Sequence, residues 1–217
     1  LRILLNSEYQ SNSSGFKDIS GKLGKFLMDH ISVCRFFSVP KVKKSVLQFE
    51  NYPDLSGAGS FFIPFGTNLQ KVENINFLRG YGIWGAIDRL GIPNLLKKDL
   101  NSSIGFLIAH GEVLPREENS VSLSKETDEW GIPIPHVEFE WSKNEINMAK
   151  HMAYTIGEAV KAASGEIKQI DELINIPFGK VFTKNLIALS EGPPPPGYYI
   201  HEVGGAPMGD FEDDSVV

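Results

Sequence analysis

The sequence predicts an α+β fold built on a mainly antiparallel, mixed sheet backed by helices. Three observations lead there. Residues 104–113 form the longest apolar run and read as a central strand. Residues 142–163 carry the one unmistakable helix pattern. Strand-like and helix-like stretches otherwise alternate without the regular rhythm that a parallel βαβ sheet requires. At 217 residues and 41% hydrophobic, the chain can bury a core without disulfide or metal support.

Taken in order, the apolar run at 3–5 breaks at Asn6-Ser7, and residues 10–15 are polar and Ser/Asn-rich, as in a surface loop. Ser20 is placed to cap a short helix over 22–28, with Leu23, Phe26 and Leu27 on one side and Asp29-His30 ending it. Residues 31–39 are rich in β-branched and aromatic side chains and read as a strand stopped by Pro40. Residues 59–65 and 81–87 are further strands. In the second, Gly82 and Gly85 would weaken the strand unless something approaches its backbone closely. Alternation in 104–113 puts His110 and Glu112 on one face.

Pro115 to Asn119 reads as a turn that returns residues 121–123 against the preceding strand as a hairpin. Alternating prolines keep 130–135 out of helix. Val137, Phe139 and Trp141 then alternate with His136, Glu138 and Glu140, the pattern of a half-buried strand. Ser142 and Glu145 have capping-box spacing, and Ala149, Met152, Ala153, Ile156, Val160 and Ala163 recur at helical intervals before Gly165. That stripe of mostly small residues predicts close packing on a sheet, with His151 exposed on the opposite face. Residues 167–173 suit either a short strand or a helical turn, 175–189 give no clear pattern, and Pro193 to Pro196 is extended.

The net charge of −6 argues against a nucleic-acid surface. The basic clusters Lys41-Val42-Lys43-Lys44 and Lys97-Lys98 are short and read as solvated. No apolar run is long enough to span a bilayer. Cys34 stands alone, which excludes an intrachain disulfide and leaves the compartment open. No His-Glu-x-x-His set suggests a metal, no Gly-x-Ser-x-Gly elbow suggests a serine hydrolase, and no glycine-rich loop opens a helix to hold phosphate. The sequence-adjacent Asp29-His30 points its side chains apart, and Glu138 with Glu140 reads as solvated charge.

The stretch 198–209, Tyr-Tyr-Ile-His-Glu-Val-Gly-Gly-Ala-Pro-Met-Gly, joins one imidazole to three glycines. Histidine titrates nearest neutrality, and glycine lets backbone approach a ligand closely. His201 is therefore a candidate base beside a bound cofactor. Spacing alone more often means a structural histidine beside a turn.

From His201 to Met208-Gly209, with acidic residues and Ser215-Val216-Val217 after it, this stretch resembles the His-x-x-Gly-Thr/Gly-x-x-Met-Gly segment of glucose-methanol-choline (GMC) flavoprotein oxidoreductases. Three further stretches follow the family's order. Residues 2–7 are similar to the segment leaving the FAD domain, and 20–30 to the glycine-rich helix and Met-Asp-His that follow it. Residues 112–115 with 118–123 and 128–133 resemble the substrate-domain hairpin of the bacterial sugar and sugar-acid branch.

The resemblance implies residues 1–30 leaving an FAD domain, a substrate-binding domain over 31–197, and residues 198–217 returning to the FAD domain. It implies oxidation of a CH–OH group of an alcohol, sugar or sugar acid, with hydride passing to flavin N5 and His201, on an active-site strand, as base or proton relay. It also implies Gly204 and Gly205 beside the cofactor; His110 and Glu112 are substrate-side candidates. Gly205 stands where many members have Thr, and Pro207 where Arg is usual. The chain starts without Met, so a piece of a longer protein is expected, with the FAD fingerprint before Leu1 and a second catalytic residue beyond Val217. On that expectation the partners are a small-molecule substrate and the FAD-binding domain of the same chain, and the piece alone holds no FAD and is inactive. A different class of reading is a non-catalytic carbohydrate-binding or interaction module, with tyrosines, Trp84 and Trp141 stacking on ligand and Pro193 to Pro196 as linker.

Overall fold

The computed structural model describes residues 1–10, 15–41, 59–65, 76–175, 192–199 and 201–217. The chain divides into two compact units: Leu1–His30, Val113–Ser142 and Pro196–Val217 form unit 1, and Ile31–Glu112 with Lys143–Pro195 form unit 2. Residues 113–142, placed within the 31–197 segment by the sequence reading, thus cluster with unit 1.

Unit 2 is the expected mainly antiparallel sheet. Its strands are β1 (Ile31–Pro40), β2 (Gly59–Phe65), β3 (Tyr81–Ile87) and β4 (Ser102–Gly111). With the two-residue β7 (Glu166–Ile167) they take the order β2-β3-β4-β1-β7. The pairings between β1 and β4, β3 and β4, and β2 and β3 are all antiparallel. The near-continuous burial of β1 follows from cover on both faces. On one side lies α2 (Lys143–Ala162), burying Met148, Met152, Ile156 and Val160. On the other, α3 (Ile170–Leu173) brings Ile170 and Leu173 onto Cys34, Phe36 and Ile104. Burial pushes the Cys34 thiol up to about 11, partly offset by the Arg35 charge, so it is a packing residue rather than a nucleophile.

Several expectations change here. The α2 stripe is made of methionines and β-branched residues more than of alanines, because Ala153 and Ala163 lie off the buried seam. His151 is not on an open face. Its Nδ1 shares a 2.8 Å hydrogen bond with the Tyr81 hydroxyl, which also bonds Thr155, and Phe77 stacks edge-on against it at 5.3 Å. Burial lowers the His151 pKa and raises that of Tyr81. Residues 166–173 supply both alternatives at once, a short strand and then a helical turn. The close approach expected at Gly82 comes from the chain itself, because a Cβ there would meet the Phe62 ring.

Unit 1 departs further. The run at 3–5 does not stop at Asn6-Ser7 but continues as α1 (Arg2–Gln10), where Asn6 donates back to the Arg2 carbonyl at 2.9 Å. No helix forms over 22–28. Positive φ at Gly21, Gly24 and Phe26 breaks it, and the Asp18 carboxylate gathers Ser20 and the Leu23 N–H into a turn.

The expected hairpin onto residues 104–113 is also replaced. β5 (Ser120–Thr127) pairs with β6 (Pro133–Glu138) in a separate two-stranded sheet. Of the half-buried strand expected over 136–141, β6 supplies only the first half, ending before Phe139, and Val137 in it is 55% exposed. Alternation without a second layer to cover it leaves the apolar residue at the surface. The expected loop at 10–15, the Val42 to Lys44 cluster and most of 175–189 lie wholly or partly outside the described residues.

Arg2 ties α1 to the β5–β6 turn. Its Nη2 lies 2.6 Å from Asp128 Oδ2, and the guanidinium also donates to the carbonyls of Ile132 and Pro133. The Arg2 hydrogen bond holds the Asp128 carboxyl below the usual carboxylate range, with N–H donation from Ile132 and Trp130 adding to it. A depressed carboxylate contributes stability above its unfolded pKa of about 4 and loses it as pH falls through the lower folded value. Asp128→Asn should therefore lower the urea midpoint at pH 7, and its gap from wild type should close towards pH 3. A gap that stays constant with pH would remove the ion pair from the account.

Candidate functional site

The region around His201 is built from three short segments of unit 1 knitted by main-chain bonds. Met28 and Val203 exchange both hydrogen bonds of an antiparallel bridge, at 2.8 and 3.0 Å. Gly24 N–H donates to the Gly205 carbonyl at 2.6 Å, and Gly205 N–H donates to the Lys25 carbonyl at 2.9 Å. Residues 119–121 close the third side, since Leu27 N–H donates to Asn119 and Val121 N–H to Gly24. The 20–28 segment avoids a helix because its backbone donors and acceptors go to these neighbours instead.

His201 projects from this knot as an exposed residue, followed by exposed Glu202 and Val203. The active-site strand expected here is a single bridge at Val203, because positive φ at Gly204 and Gly205 turns the chain away at once. The imidazole of His201 meets that of His30 edge-to-face, with ring centroids 5.3 Å apart and planes at 86°. Asp29 beside it is buried at 5% exposure. Its Oδ1 accepts the His30 N–H at 2.7 Å, while Oδ2 has no hydrogen-bond partner among the described residues.

The two glycines serve the chain's own packing. A Cβ on Gly204 would run into the Phe26 carbonyl oxygen, and one on Gly205 would meet Leu1 at 2.7 Å. His201, Val203, Gly204 and Met208 are all exposed along this segment, while Gly205 is buried. An exposed imidazole with apolar side chains near it suits the ring end of a flavin cofactor; among the described residues no glycine-rich loop opens a helix to take its phosphates.

His110 and Glu112 belong to unit 2. His110 lies half-buried on β4, where its ring sits 6.2 Å from that of Trp84 on β3, and its register partner on β1 is Ser32. Glu112 is exposed beyond the strand end and lies 3.8 Å from Arg79. The two residues share an element end, but alternation carries on only as far as Gly111, so their common strand face is limited to His110.

Sequence reasoning set aside two features of unit 1. One is the contact between His30 and His201, which Asp29-His30 as a pair of neighbours does not suggest. The register through Met28 and Val203 is what reveals it. The other is a cavity of about 410 Å³ lined by Arg116, Glu118, Asn119, Glu138, Phe139 and Glu140. Asn119 at its edge is 1% exposed and uses its side-chain oxygen to accept the Glu140 N–H.

Residues 115–217 match a family model described as GMC oxidoreductase. Over 247 aligned residues the chain is 27% identical to a 2-methyl-1,2-propanediol dehydrogenase of Mycolicibacterium austroafricanum, an alignment covering 99% of this chain and 37% of that protein. The chain thus spans little more than a third of the length of this relative. Together these bear out the family resemblance: the chain is similar to the C-terminal part of a GMC oxidoreductase, and its α+β architecture agrees with that.

Proposed function

We propose that this chain, whose residues 115–217 carry the C-terminal region of a GMC oxidoreductase, forms the substrate side of an FAD-dependent enzyme oxidising the CH–OH group of an alcohol, sugar or sugar acid. The observation that carries the reading is the place of His201. It lies inside the matched region, exposed, on a segment anchored within two residues by the bridge to Met28. A base must reach the substrate hydroxyl while its backbone stays fixed, and this arrangement supplies both.

FAD, when bound, supplies the hydride acceptor. His201 takes the hydroxyl proton as the C–H bond breaks, so that the alcohol leaves as a carbonyl compound. Val203 and Met208 are the apolar side chains of the same segment offered to the cofactor. Gly204 and Gly205 act there through the turn they impose, which ends the bridge and leaves His201 at the edge. Taken by itself, unit 2 offers His110 and Glu112 as the residues proposed to meet polar groups of a substrate, with the Trp84 ring beside His110 as an apolar face.

The relative is named for a small branched diol, so short 1,2-diols are the first substrates to assay, beside sugars and aldonic acids. The test supplies each compound to the full-length, flavin-loaded protein with an artificial electron acceptor and analyses the products. The reading predicts carbonyl product from at least one compound. Acceptor reduction by none of them would leave the non-catalytic carbohydrate-binding module as the better account. Against that module stands the setting of its aromatic residues. Trp141 packs against Phe139 with ring centroids 5.2 Å apart and is only partly exposed, so it is not an open stacking platform.

A further inference from the structure

We propose that His30 is a positioning residue for His201, holding the imidazole in the orientation from which it can act; the inference rests on the reading of His201 as base. The register carries it. In an antiparallel pair, residues two positions out from a bridged pair on either side face each other across the same surface. Met28 pairs with Val203, so His30 and His201, each two residues from the bridge in opposite chain directions, fall opposite each other. Their rings meet there edge-to-face at 5.3 Å and 86°, within the separation at which such pairs attract.

The support behind His30 is itself braced. Asp29 is buried and uses Oδ1 to accept the His30 N–H, leaving Oδ2 without a hydrogen-bond partner among the described residues. Burying half a carboxylate unbonded is costly. It is kept next to the His30 ring that meets His201. His201 itself is exposed, and among the described residues no ladder extends the bridge at Val203, so the contact with His30 restricts its rotamers.

The test uses His30→Ala, His30→Leu and His30→Phe, with circular dichroism to confirm folding. In the 217-residue chain, the ring carbon–proton signals of His201 should report one rotamer in wild type and in His30→Phe, and averaging in His30→Ala and His30→Leu. In the flavin-loaded protein, His30→Ala and His30→Leu should lower kcat about tenfold to a hundredfold with KM changed less than about twofold. His30→Phe, which keeps a ring edge, should recover most of kcat. Should His30→Ala fail to fold, the Leu and Phe pair decides, because both fill the site and only one carries a ring. Unchanged His201 signals in the ring-less variants overturn the proposal, as does an unchanged kcat where His201→Ala lowers it. If His201→Ala itself leaves alcohol oxidation intact, the functional reading falls, and the ring signals alone then decide whether His30 orients His201.

Discussion

His201→Ala should lower kcat for alcohol oxidation by about 10²–10⁴-fold, the contribution of one positioned general base, while FAD binding stays unchanged. The expectation follows from what the side chain touches. Apart from its ring contact with His30, His201 is exposed, and the bonds that shape the segment run through the main chain of Val203 and Gly205. Removing the imidazole therefore takes away chemistry and little structure, and the thermal midpoint should move by no more than a degree or two. Steady-state kinetics beside a melting curve separate the two. Equal loss of activity and stability would make His201 a structural residue, and full activity would remove it from the mechanism.

Gly204→Ala should instead unfold the knot that holds His201. Its φ of +90° lies where side chains are strained, and an added Cβ would collide with the Phe26 carbonyl oxygen. Phe26 cannot yield easily. Its own φ is +60°, and the flanking Gly24, Lys25 and Leu27 are committed to main-chain bonds with residues 119–121 and 205. Strain and collision together should cost about 3 kcal/mol, read as a lower urea midpoint. Gly21 is the control. It also has positive φ, at +66°, but open space where its Cβ would stand, so Gly21→Ala should cost only about 1 kcal/mol. Equal effects at the two sites would show that backbone conformation alone, and not the packing of Phe26 against residue 204, matters here.

The comparison of those glycines shows where sequence reading succeeds. In unit 2 the strands over 31–40, 59–65, 81–87 and 102–111 and the helix over 143–162 are visible from their apolar patterns, because a sheet covered by helices must bury one or both faces. Unit 1 is organised by main-chain bonds among short segments distant in sequence, and such bonds leave no periodicity. The helix expected over 22–28 had a plausible cap and apolar side. It lost to bonding with Asn119, Val121, Val203 and Gly205, none of which is local. β5 was legible as a strand, yet its partner was misjudged, because the nearer strand in sequence already has β1 and β3 on its two edges.

The candidate site shows the same division. His201 was visible through its glycine-flanked motif and the resemblance that motif carries. The reason its glycines are glycines was not, because their close neighbours are Phe26 and Leu1 rather than a ligand. His151, read as exposed from its helical face, is covered by Phe77 and Tyr81, two residues that no helix pattern could bring there.

The most direct test of the central claim is the flavin absorbance of the full-length, FAD-loaded protein on anaerobic mixing with alcohols, diols and sugars. The account predicts that the oxidised flavin band bleaches with at least one of them, quickly in wild type and orders of magnitude more slowly in His201→Ala. A flavin that stays oxidised with every compound, or that bleaches equally fast without the imidazole, would contradict it.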